Sequence, residues 1–148
     1  MGGGSLLRLP AAIGALGRGM ITWAIDYRMP PWHPYPAALD DCVALYRRAL
    51  EDRAPEVNFV GGGSAGGNLA AALLVRAKDE GLPMPQALVL LSPEVDLTES
   101  GDTFNTNLGI DAILGRLMNV NPLYANGHDL ADPYLSPLYW APANVPPE

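Results

Sequence analysis

Two stretches of the chain carry apolar residues at helical spacing. From Ala37 to Arg53 apolar positions recur every three or four residues with charged residues between them, which is typical of a helix that buries one face. An alanine-rich stretch from about Ala65 to Glu80 is followed by Gly81 and Pro83, residues that end helices. A third, shorter helix is predicted from Asp111 to Met118.

Three short apolar runs have the composition of buried β-strands. They are Met20 to Ile25, Val57 to Val60 and Ala87 to Leu91. The last run is apolar at every position, as expected of a parallel strand covered by helices on both faces. Because strands alternate with helices, the chain is predicted to have an α/β fold, a mostly parallel sheet with flanking helices.

The length of the chain predicts one domain, and its net charge disfavours proteins that bind nucleic acid or membranes. The 148 residues, 49% of them hydrophobic, suffice for one core, so residues 1–148 are predicted to form a single domain. A net charge of −7 disfavours binding to nucleic acid or to an anionic membrane. The apolar stretch from Pro10 to Ile25 contains Arg18 and several glycines, so we expect no membrane span and a cytoplasmic protein. The single Cys42 falls in a helical pattern and is predicted to lie in the core.

A glycine-rich segment separates the second predicted strand from the helix that follows it. Ser64 is its central residue, with Gly62 and Gly63 before it and Gly66 two positions after it. A serine on a sharp turn between a strand and a helix is the arrangement of a nucleophile elbow, where the residues two before and two after the serine crowd each other. We expect Gly62 and Gly66 to relieve that crowding, and we predict that Ser64 is a nucleophile for acyl transfer.

The helix that follows the serine predicts an oxyanion hole. The backbone N–H of Ala65 lies at the positive end of the helix dipole and is placed to stabilise an oxyanion. The glycines at 61–66 also fit a dinucleotide-binding fingerprint, but that site needs an acidic residue about 20 positions later, at the end of the next strand. Asp79 and Glu80 instead fall in the predicted helix. No lysine follows the glycines as in a phosphate-binding loop, and neither a cofactor nor a metal is predicted.

Several separated motifs resemble those of one enzyme family. The residues Asp-Tyr-Arg at 26–28, the proline-rich segment at 33–41 and Ser-Ala-Gly-Gly-Asn at 64–68 are similar to signatures of the hormone-sensitive-lipase-like esterases. These esterases are the bacterial family IV of the α/β-hydrolase superfamily. Residues 91–97 and 132–137 resemble two later motifs of the family, in the same order.

The resemblance implies a fold and a reaction. It implies part of a doubly wound α/β-hydrolase sheet and a serine carboxylesterase that uses a Ser-His-Asp triad on esters of modest chain length. Only Ser64 matches a member of that triad. The family's acid and histidine follow on later strands, so we expect a partial domain that lacks them, together with the amino-terminal cap and first strands. The isolated chain is then expected to have little activity.

Alternatives remain open at this point. His128 and His33 are weaker candidates for the catalytic base, and the chain could instead be a non-catalytic ligand-binding domain or an inactive remnant. The predicted partner is a small ester, with homo-oligomer formation left open. One apolar group is a candidate acyl pocket: Leu108, Ile110, Leu114 and Met118.

Overall fold

The predicted alternation of strands and helices is confirmed. The computed structural model describes residues 20–54, 56, 58–110, 115, 117 and 119–141. Its main elements are helix α1 (Ala37–Asp52), strand β1 (Phe59–Gly63), helix α2 (Ala65–Asp79) and strand β2 (Ala87–Leu91). Two short helices, α3 (Thr103–Thr106) and α4 (Asn121–Ala125), and a 3-10 turn at Pro137–Tyr139 follow.

The two strands form a parallel pair. Phe59 lies opposite Ala87 and Gly63 lies opposite Leu91. Strand β1 begins later than the sequence predicts and continues through the glycine run, because these glycines still pair with β2. Helix α2 connects the strands and packs on both of them, and α1 packs on α2. The serine segment is therefore held between a strand and a helix that share one core.

The core lies between α1, α2 and the loops after β2. Its fully buried side chains include Leu39 and Leu135. Cys42 of α1 is also buried in this cluster, as predicted. Burial raises the pKa of the Cys42 thiol to about 12. The cysteine is therefore a small core side chain in its protonated form.

One face of the sheet carries apolar side chains exposed to solvent. Phe59, Val89 and Leu91 are 59%, 51% and 67% exposed. The expectation that Ala87–Leu91 is covered on both faces is wrong for the described part of the chain, where α2 covers only the opposite face. Exposed apolar surface of this kind favours association. Homo-oligomer formation stays a prediction.

Two predicted elements differ from the structure. The strand predicted from Met20 to Ile25 is wrong, because none of these residues pairs with a strand in the described part of the chain. An apolar run becomes a strand only if a neighbour accepts its backbone hydrogen bonds. Of the helix predicted from Asp111 to Met118, only residues 115 and 117 are described, and neither is helical; the other positions lie outside the described residues.

An ion pair fixes the segment before α1. The Arg28 Nε and Nη2 atoms donate to Asp41 Oδ1 at 3.0 and 2.8 Å, and the Arg28 backbone N–H donates to Asp41 Oδ2 at 2.9 Å. These hydrogen bonds lower the pKa of the Asp41 carboxyl, although partial burial opposes the shift. Residues 26–28 are thereby attached to the second turn of α1.

This ion pair should make stability depend on pH. Because the folded-state pKa of Asp41 is lowered, its contribution is present above the unfolded-state pKa of about 4 and is lost as the pH falls through the folded-state value. We expect the melting temperature of Asp41→Asn to lie below that of the wild type at neutral pH, and the difference to shrink under acid. Thermal melts between about pH 7 and pH 3 test this. A gap that is constant with pH, or that persists in an Arg28→Met background, would contradict it.

Candidate active site

The expected elbow geometry is present at Ser64. The residue lies directly between the last residue of β1 and the first residue of α2. Its backbone angles are φ 53° and ψ −125°, in a region that side-chain-bearing residues seldom adopt. Such a conformation costs on the order of 1–3 kcal/mol and persists only where surrounding structure enforces it.

Hydrogen bonds to both backbone groups enforce this conformation. The Ser64 N–H donates to Leu91 O at 3.0 Å, which ties it to the end of β2. The Ser64 carbonyl accepts from the N–H groups of Gly67, Asn68 and Glu94 at 2.9, 3.1 and 3.3 Å. The strained residue is thus held by the neighbouring strand, by the first turn of α2 and by the loop after β2.

Close packing at the turn requires glycine at two positions. A Cβ at Gly62 would lie 2.1 Å from Gly66 O, and one at Gly67 would lie 2.8 Å from the Pro93 Cβ. A Cβ at Gly66 would meet no described atom within 4 Å outside the backbone of its own helix. The expected crowding between positions 62 and 66 is therefore present, but the expectation that it requires glycine at 66 is wrong for the described residues. Glycine is needed at 67 instead, whereas a Cβ at Gly63 would make only ordinary contacts, the nearest with Leu91 O at 3.4 Å.

The side chain of Ser64 is exposed and makes no hydrogen bond with a described residue. Neither histidine bonds to it. The His128 ring packs edge-on against Tyr35, with 4.9 Å between ring centroids, and His33 is exposed on the loop before α1. Ala65 is the first residue of α2, so its N–H has no partner within the helix and is free to bind an oxyanion.

A mostly apolar cavity of about 80 Å³ lies beside Ala65. Its lining includes Tyr27, Met29, Leu69, Leu97, Val120, Glu94 and Tyr124. Burial raises the pKa of the Glu94 carboxyl. The predicted acyl-pocket residues are not in this lining: Leu108 and Ile110 are 60% and 77% exposed, while Leu114 and Met118 lie outside the described residues.

Comparison with known families gives the fold family. A sequence description of the α/β-hydrolase fold matches residues 12–147. The chain belongs to the α/β-hydrolase family. The relatives include an acetyl-hydrolase of Streptomyces hygroscopicus, 36% identical over 87% of this chain and 44% of the relative. They also include the carboxylesterase NlhH of Mycobacterium tuberculosis, 34% identical over 88% of this chain and 43% of the relative.

Solved structures agree with the sequence comparison. EstE5, in a crystal soaked with p-nitrophenyl butyrate, superposes with a TM-score of 0.89 at 36% identity, covering 99% of this chain and 50% of EstE5. A hormone-sensitive lipase from a metagenome library gives 0.75 at 43% identity, covering 80% of this chain and 41% of that one. This α/β hydrolase thus spans about half the length or less of the proteins it matches, and its structural neighbours are esterases of the hormone-sensitive-lipase family.

Membrane-spanning helices and groups of metal-binding side chains are both absent from the described residues of this α/β hydrolase. In the described ranges, every helix is too short or too polar to cross a bilayer. Among those same residues, no group of three or more histidine, cysteine, aspartate or glutamate side chains could hold a metal ion.

Sequence reasoning missed three residues near Ser64 of this α/β hydrolase. Gly67, Asn68 and Glu94 all bond to its backbone, yet they were assigned no role from the sequence beyond their place in the motifs at 64–68 and 91–97. Asn68 offered one clue, since an asparagine in an otherwise apolar alanine-rich helix needs partners when it is buried. The contacts of Gly67 and Glu94 depend on a loop distant in sequence and had no such clue.

Proposed function

We propose that this α/β hydrolase acts as a serine carboxylesterase with Ser64 as its nucleophile. The observation that carries the proposal is the strained, exposed serine between β1 and α2. A short strand-to-helix turn of this kind projects the hydroxyl into the space where a substrate can approach. The esterase names of the relatives support the same reaction class.

The proposed reaction uses two groups of the elbow, the Ser64 hydroxyl and the Ala65 N–H, together with a base. The Ser64 Oγ attacks the ester carbonyl, the alcohol leaves, and water then hydrolyses the acyl-enzyme. The Ala65 N–H, at the amino end of α2, stabilises the negative charge on the tetrahedral oxygen. Because neither His33 nor His128 bonds to Ser64, we assign the base and its orienting acid to residues beyond these 148, as the family resemblance implies.

The substrate is proposed to be a small carboxylic ester. The cavity beside Ala65 is lined mainly by apolar side chains and has a volume of about 80 Å³, which suits a short acyl or alkyl group. p-Nitrophenyl butyrate, the compound soaked into the EstE5 crystal, is a suitable test substrate.

A non-catalytic ligand-binding role is the second candidate. It is favoured by the absence of any hydrogen bond between Ser64 and a histidine in the described part of the chain. In that case the cavity would bind a small ligand without turnover. The two candidates differ in the reactivity of Ser64.

Phosphonylation tests the proposal. The full-length protein that carries this chain is treated with ethyl p-nitrophenyl methylphosphonate, which transfers its phosphonyl group to the serine oxygen and releases p-nitrophenolate, and digestion with mass spectrometry locates the label. We expect one label per chain, on Ser64, with loss of p-nitrophenyl butyrate hydrolysis in proportion to labelling. Hydrolysis that survives complete labelling of Ser64, or inhibition by a label at another residue, would overturn the proposal. Binding of the ester without labelling or turnover would support the non-catalytic role.

A further inference from the structure

A buried amide lies in the first turn of α2, four residues after the serine. Asn68 is only 3% exposed. Its side-chain Nδ2 donates to the backbone oxygens of Glu94 and Leu135, at 2.7 Å in both cases. Both hydrogens of the amide group are therefore used, each on a carbonyl from a different segment of the chain.

The segments that carry these two carbonyls make further hydrogen bonds, one to Ser64 and the other through Ser136. The N–H of Glu94 donates to the Ser64 carbonyl at 3.3 Å, so the loop after β2 reaches the strained serine directly. Leu135 precedes Ser136, which is fully buried; its Oγ accepts from Leu97 N–H at 2.8 Å and donates to Leu130 O at 2.6 Å. Asn68 thus joins the first turn of α2 to two loops, which are also joined to each other by the backbone hydrogen bond from Leu138 N–H to Val95 O at 3.1 Å.

We propose that Asn68 is a positioning residue for Ser64. The inference rests on the proposed esterase function. The backbone N–H of Asn68 donates to the Ser64 carbonyl, and its side chain donates to the carbonyl of Glu94, the residue whose own N–H donates to the same Ser64 carbonyl. Together these contacts hold the serine in its strained conformation with positive φ and set the direction of Oγ.

The side chain must supply two donors to do this. Aspartate has the same shape as asparagine but would bring two acceptor oxygens against two carbonyl oxygens. Alanine leaves both carbonyls without this donor, and serine offers a single hydrogen. Without the two donors, the first turn of α2 and the Glu94 loop separate, and the Ser64 Oγ no longer points toward the substrate. A displacement of about 1 Å at a reacting group can reduce a rate about 100-fold.

The rate of phosphonylation per active site shows whether Asn68 positions Ser64 or only stabilises the fold. In the full-length protein, we measure the rate constant with ethyl p-nitrophenyl methylphosphonate and, separately, the fraction of chains that can be titrated. For Asn68→Ala and Asn68→Asp we expect the rate constant to fall about 100-fold. The kcat for p-nitrophenyl butyrate should fall in parallel, while KM changes far less. Asn68→Ser, which keeps one donor, should fall between these variants and the wild type.

A pH signature accompanies the aspartate variant. A protonated aspartic acid can donate one of the two missing hydrogen bonds, whereas the ionised form can donate neither. The phosphonylation rate of Asn68→Asp, divided by that of the wild type at the same pH, should therefore rise as the pH falls. Asn68→Ala should show a constant ratio.

Two control variants separate the chemical change at Asn68 from the loss of buried volume. Asn58→Asp makes the same chemical change on the loop before β1, and Val43→Ala removes buried volume from α1 without contact to the elbow. Both should keep the wild-type rate per titrated site. If the Asn68 variants titrate fewer sites but react at the wild-type rate, the residue is only structural and the inference is wrong. If wild-type Ser64 is not phosphonylated at all, the proposed function fails instead.

Discussion

Replacing Ser64 by alanine should lower kcat for p-nitrophenyl butyrate by about 10⁴-fold or more in the full-length protein. The side chain has no hydrogen bond to a described residue and is exposed, so its removal takes away the attacking oxygen and little else. Alanine keeps the same Cβ on the same strained backbone. The loss should therefore appear in kcat, with the folded structure retained.

Ser92→Ala is the matched control for this substitution. Ser92 also has a positive φ, at 44°, and lies directly after β2 as Ser64 lies directly after β1. We expect its kcat to stay within about threefold of the wild type, the scale of an ordinary exposed substitution. Steady-state hydrolysis and circular dichroism of both variants check the result. Similar losses for the two serines, or an active Ser64→Ala, would exclude Ser64 as the nucleophile.

Gly62→Ala should prevent the elbow from forming. The new methyl group would lie 2.1 Å from Gly66 O and 2.4 Å from Gly66 C, and these backbone atoms belong to the start of α2. Relief requires movement of either β1 or α2, and both are paired to other elements. We expect a loss of about 3 kcal/mol in the free energy of unfolding, at the upper end for overpacking, with loss of Ser64 phosphonylation.

Gly66→Ala makes the same chemical change on the other side of the contact. A Cβ there meets no described atom within 4 Å, and the residue lies within α2, where alanine is the better helix former. Its stability should match the wild type or exceed it by up to about 1 kcal/mol. Urea unfolding of the two variants measures the difference. Equal destabilisation would mean that the turn differs from the one described here.

The local pattern of apolar residues was enough to predict two helices and one strand. Helices α1 and α2 and strand β2 are within one residue of their predicted bounds, because spacing of apolar positions and helix-ending residues act over a few residues. The position of Ser64 between a strand and a helix followed from the same information. Strand β1 continued into glycines that its own composition would not favour, because β2 supplied hydrogen-bond partners.

Features that depend on distant segments were not predicted. The run from Met20 to Ile25 has a strand's composition but no described neighbour, and composition cannot report a neighbour. The need for glycine at position 67 comes from Pro93, and the need for an amide at position 68 comes from Glu94 and Leu135. These partners are far away in sequence, so only the folded chain identifies them.

Cys42, the one cysteine of these 148 residues, can report on the motion of the core around it. With a pKa of about 12 and a buried side chain, it has almost no thiolate available to an alkylating reagent at neutral pH. Modification must wait until the core around Cys42 opens. The alkylation rate of this residue therefore measures how often that part of the core opens, with no label introduced and no second cysteine within these 148 residues.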